Sequence, residues 1–82
     1  MTDRTELEIL RGERATLLLA DPLLTEAFEL IESEYIKQWK NSPARDEAGR
    51  EKLWLMVVTL QKLWSELESV VNTGKLAKHA LE

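Results

Sequence analysis

The sequence predicts an all-α domain: an antiparallel helical hairpin over residues 22–40 and 46–72, preceded by an N-terminal helix over 5–20, and completed into a bundle by homo-oligomerisation. Two observations carry the helices and a third the oligomer. Apolar residues recur at three- and four-residue intervals along most of the chain, which is the period of a helix packed on one side. The only two prolines, Pro22 and Pro43, fall at the points where such stripes break off. The stretch Leu53-Trp54-Leu55-Met56-Val57-Val58-Thr59-Leu60 has seven apolar residues in eight. At 100° per residue, Leu53, Met56, Val57 and Leu60 lie on one side, and Trp54, Leu55 and Val58 cover most of the other. A helix that is apolar all round is expected to be buried all round, which is hard to achieve in 82 residues with one copy.

In the first segment, Leu7, Leu10, Leu17 and Leu18 keep helical spacing, with Arg11, Glu13 and Arg14 expected towards solvent. Thr2, Asp3 or Thr5 are candidate caps, and Gly12 weakens the helix by about 1 kcal/mol relative to alanine. Asp21-Pro22 then punctuates the chain. The residue before a proline avoids the α region, so the first helix stops by Ala20, while Asp21 as N-cap and Pro22 at N1 start the second. Leu24, Ala27, Phe28, Ile31, Tyr35 and Trp39 form one face of it, and Glu26, Glu29, Glu32 and Glu34 occupy the remainder.

Asn41-Ser42-Pro43 closes the second helix. The third starts either with Ser42 as cap and Pro43 at N1, or with Asp46 as cap. It carries two adjacent seams: Leu53, Val57, Leu60, Trp64, Leu67, Val71, and Met56, Leu60, Leu63, Leu67, Val70. Two seams let one helix meet more than one partner helix. Asn72-Thr73-Gly74 reads as its stop, with Gly74 supplying a left-handed C′ residue. Residues 1–4 and 75–82 are then expected to fray, and Leu81-Glu82 resembles a cloning remnant. The third helix is longer than the second, so the first helix or a symmetry mate must cover the overhang.

Composition narrows the function classes. With no cysteine, disulfides and thiolate zinc sites are excluded, and one histidine cannot build a His-rich metal site. Of the usual reinforcements for a small domain, oligomerisation remains. The net charge of −4 provides no global basic field for nucleic acid or anionic lipid. No apolar run approaches the roughly 18 residues of a membrane span, and the first residues lack a signal-peptide pattern. A soluble, cytoplasmic protein is expected.

No catalytic constellation emerges, so no enzyme activity and no cofactor are expected. His79 is the only histidine and sits in the expected tail, where a solvated side chain is the simplest reading. Thr73-Gly74-Lys75 lacks the preceding glycine and strand of a phosphate-binding loop. The acids of the second helix fit a solvated face better than a metal cluster. Trp39 and Trp64 belong to apolar stripes and read as core. Trp54, Leu55 and Val58 form the candidate oligomer or partner interface, because tryptophan is enriched at hot spots and an apolar patch is a liability in a monomer. The alternative is that the first helix covers all three. Lys75 and Lys78 are weaker candidates for contacting nucleic acid; direct duplex binding is disfavoured, since acids interleave with Arg45, Arg50 and Lys52 and the third helix is too apolar for a recognition helix.

Asp21-Pro22-Leu23, Ile31-Glu32, Trp39-Lys40, Pro43-Ala44-Arg45-Asp46, Gly49-Arg50-Glu51-Lys52-Leu53 and Thr73-Gly74-Lys75-Leu76-Ala77 together resemble a group of small helical proteins of tailed bacteriophages and prophages. The resemblance spans roughly residues 11–77 and contains no catalytic motif. It implies a phage or prophage context near head-assembly or DNA-packaging genes, in a bacterial host cell. A dimeric, non-enzymatic protein acting through protein–protein contacts, with a phage or host protein as possible partner, is the resulting expectation. The alternative is a packaging or regulatory accessory that touches DNA through its basic tail.

Overall fold

The computed structural model describes residues 3–82. Three helices follow in order: α1 (Arg4–Ala20), α2 (Pro22–Asn41) and α3 (Glu47–Leu81), and the described residues contain no strand. The fold class is all-α, as the periodicity predicts.

Each boundary has a local cause. The Asp3 carboxylate accepts from the Glu6 amide at 2.8 Å and caps α1, so the cap is Asp3 rather than Thr5; Thr2 lies outside the described residues. Asp21 serves two helices. Its amide donates to the Leu18 carbonyl at 3.2 Å to end α1, and its carboxylate accepts from the Leu23 amide at 2.9 Å to start α2, with Pro22 in the first turn. Of the two starts open for α3, Asp46 is the one used, accepting from the Gly49 amide at 3.1 Å. Ser42 instead ends α2: its backbone N–H donates to the Trp39 carbonyl at 3.2 Å and its hydroxyl donates to the same oxygen at 2.6 Å.

α3 does not stop at Gly74. It runs 35 residues, about 52 Å at 1.5 Å per residue, and no residue takes positive φ among those described. The segment expected to fray, 75–82, is helical to Leu81. Tertiary contact is the reason: α1 packs on this part of α3, so the tail is held by a neighbour and does not depend on its own propensity. At the closest point the backbones touch. A Cβ built on Gly12 would lie 2.9 Å from the Gly74 Cα, and one on Gly74 would lie 2.9 Å from the Gly12 Cα and 3.0 Å from the Glu8 carbonyl oxygen. Both glycines are buried, with Ala15 and Ala77 buried beside them.

α1 and α2 therefore follow one another along α3, α2 against its N-terminal half and α1 against its C-terminal half. They barely contact each other. The overhang expected for α3 is covered by α1. The resulting body measures 56 × 23 × 20 Å, and its radius of gyration is 17.5 Å, against about 12 Å for a compact domain of this length. Its interior is thin. The buried apolar side chains are Ala15, Val57 and Ala77, and no large side chain is fully enclosed among the described residues.

The face used by α1 differs from the one its leucines suggest. α1 meets α3 through Gly12 and Ala15, while Leu7, Leu10, Leu17 and Leu18 are exposed, Leu17 at 72 %. Small residues permit a close backbone approach that leucines cannot, and the leucine stripe is left on the far side. On α2, Phe28, Tyr35 and Trp39 are half-buried, whereas Leu24, Ala27 and Ile31 from the expected core face are exposed, together with Leu23 and Leu30.

Candidate interaction surface

The α2–α3 contact is made by aromatic rings. Phe28 and Trp64 pack with centroids 4.6 Å apart at an interplanar angle of 44°, and Trp39 and Trp54 lie 6.4 Å apart at 47°. Such tilted pairs suit the ring quadrupole. Gln61 Nε2 donates to Glu32 at 3.1 Å, so Glu32 faces α3 and leaves the solvated acidic row to Glu26, Glu29 and Glu34.

The α2–α3 corner is locked by a residue that sequence reasoning treated only as a surface base. The Arg50 guanidinium sits 4.4 Å from the centroid of the Trp39 ring. Its Nη1 donates to the carbonyls of Trp39 and Ser42, at 3.1 and 3.2 Å, and to Ser42 Oγ at 2.9 Å. The cation thus adds to the Ser42 bonds on the Trp39 carbonyl and ties down the cap residue itself, a placement that suits the negative end of the helix dipole. The sequence carries a signal for it in the arginine's place within the first turn after a short connection.

Trp54, Leu55 and Val58 are not covered by α1, which lies further along α3. Leu55 is 56 % exposed, Trp54 55 % despite its contact with Trp39, and Val58 41 %. The three stay together on one side of the helix, next to Glu51 and Lys62 on the helical wheel.

A second open apolar surface lies on another side of α3. Ile31 and Tyr35 of α2, with Met56, Thr59, Leu60 and Leu63 of α3, line a shallow, largely apolar groove. Met56, Leu60 and Leu63 belong to the second seam, which continues in 4-3 spacing through Leu67 and Val70 to Gly74 and Ala77. α1 occupies the C-terminal half of that seam, and its N-terminal half has no covering helix. Continuation of the seam into Gly74 and Ala77 is the signal by which the close crossing is legible in the sequence.

Lys75 and Lys78 are brought onto the ordered end of α3, where they share a cleft with Glu13 of α1. The cleft therefore carries charges of both signs. His79 is exposed, with Nδ1 3.8 Å from a carboxylate oxygen of Glu82. Among the described residues no group of three His, Cys, Asp or Glu side chains is placed to hold a metal ion, and no helix is long and apolar enough to cross a membrane. Comparisons with family models, with curated proteins and with solved structures found no match for this chain.

Proposed function

We propose that this is a non-enzymatic, phage- or prophage-type helical protein that self-associates as a dimer and acts through protein–protein contacts. One observation carries the reading. The chain exposes 6747 Å² of surface, whereas a compact monomer of 9.5 kDa exposes about 5,000 Å². The excess, roughly 1,700 Å², is about twice what each partner gives up in a standard interface and falls in the range of obligate homodimers. Much of it is leucine, on all three helices. Burying apolar surface is the dominant favourable term in folding, and a single copy with three small buried residues gains little of it.

The phage setting, and with it the cytoplasm of a bacterial host, rests on the sequence resemblance. Trp54, Leu55 and Val58 suit the role of a surface offered to a phage or host protein once the dimer has formed. Lys75 and Lys78 share their cleft with Glu13, and two lysines beside an acid do not favour the nucleic-acid alternative. Sedimentation equilibrium of the full chain at tens of micromolar tests the reading: a dimer is expected, and a folded monomer at that concentration contradicts it.

A further inference from the structure

We propose that two copies pair about a two-fold axis by laying the outer leucine stripe of each α1 into the open α2–α3 groove of the other. The inference rests on the self-association reading and specifies its geometry. Three observations meet here. The groove at Ile31, Tyr35, Met56, Leu60 and Leu63 is the uncovered half of a seam whose other half already holds a helix. That helix, α1, presents Leu7, Leu10 and Leu17 outward, on the side away from its contact with Gly74, with Leu18 at the edge of the stripe beside Leu67. Groove and α1 both lie on the same side of α3, one as a recess at its N-terminal half and the other as a ridge at its C-terminal half.

A ridge and a recess displaced along one rod are self-complementary. Turning a second copy end over end about an axis perpendicular to α3 places its ridge in the first copy's recess, and the first copy's ridge in its own. This is the isologous closure that a two-fold interface requires. Each α1 would then lie between two long helices, with its glycine–alanine face on its own α3 and its leucine face on the other. Because α1 runs antiparallel to its own α3, it runs parallel to the α3 of the second copy. Leu10 and Leu17 are seven residues apart, as are Met56 and Leu63, so in this register Leu10 meets Met56 of the second copy when Leu17 meets Leu63. Arg14 falls within the stripe, and its stem is long enough to lie along it with the guanidinium at the rim. The Trp54, Leu55 and Val58 face lies on another side of α3 and stays open in this dimer. Glu51 and Lys62 lie beside it.

A native chain without cysteine makes the test direct. Leu17→Cys and Leu63→Cys, each alone in an otherwise unchanged full-length chain, are mixed and oxidised, with Leu55→Cys oxidised alone in parallel. Circular dichroism checks that each variant keeps its helices. The expected product is a mixed Leu17→Cys/Leu63→Cys disulfide in preference to either homodisulfide, with little Leu55→Cys homodisulfide. A protein that sediments as a dimer yet gives no mixed product overturns this geometry and leaves self-association standing. A Leu55→Cys homodisulfide in its place would move the interface to the Trp54 face. A monomer in sedimentation overturns both.

Discussion

Gly12 and Gly74 bring α1 and α3 into backbone contact, so close that a methyl group on either would lie 2.9 Å from the Cα of the other. This crossing decides how the domain is built. It fixes α1 on the far half of α3, holds the last turns of α3 in helical form, and turns the leucines of α1 outward. Helix propensity and packing oppose each other here. Alanine is favoured over glycine by about 1 kcal/mol in a helix interior, but the clash is with backbone, which cannot rotate away.

Gly74→Ala and Gly12→Ala are therefore expected to destabilise the protein, the overpacking costing about 1–3 kcal/mol against the propensity gain of about 1 kcal/mol. Thermal unfolding followed by circular dichroism checks this: each kilocalorie lowers the midpoint by about 4–8 °C in a domain of this size. A raised midpoint would mean that α1 does not cross α3 at this point.

Truncation after Asn72 discriminates between a loose tail and a structural one. The shortened chain lacks Gly74 and Ala77, so α1 loses its closest crossing and keeps only the contacts around Leu67, Val70 and Val71. Its helical signal is expected to fall by more than the residues removed, because α1 unfolds as well. Removing Leu81 and Glu82 alone is expected to change neither helicity nor stability, since both are exposed.

Arg50→Lys is not a conservative change at the α2–α3 corner. A lysine cannot reproduce a planar group stacked on Trp39 while bonding two carbonyls and a hydroxyl. A loss of about 2 kcal/mol is expected from hydrogen bonds to a charged group, read as a lower urea midpoint with a shift in tryptophan emission.

Leu63→Lys and Leu55→Lys separate the two open apolar faces. A lysine in the groove is expected to convert the dimer to a monomer, while Leu55→Lys leaves it dimeric. Light scattering on the two proteins at equal concentration distinguishes them. The reverse outcome would assign the dimer to the Trp54 face.

Much of the local architecture is legible in the chain, and the reasons are local. Asp21-Pro22 forbids a continuous helix and supplies both the cap and the first turn of the next one, whatever surrounds it. The Asp46 cap is equally local, although Ser42 offers a competing start, excluded where Ser42 bonds back to Trp39 and to Arg50. Gly74 is different. A glycine after Asn-Thr has the look of a helix stop, and only a second glycine more than sixty residues away makes it an interior contact. The leucines of α1 mislead for a related reason. Periodicity reveals which residues share a face but not which partner takes that face, and in one copy the small residues opposite are used. The exposure of Trp54, Leu55 and Val58 follows from where α1 docks, so it too depends on the glycine crossing.

The proposed dimer follows from one copy leaving more apolar surface in water than a stable monomer tolerates. Sedimentation equilibrium of the unmodified chain at tens of micromolar measures that directly. A mass twice the 9.5 kDa of the chain is the predicted result. A well-folded species at the single-chain mass, with a cooperative thermal transition independent of concentration, would contradict it.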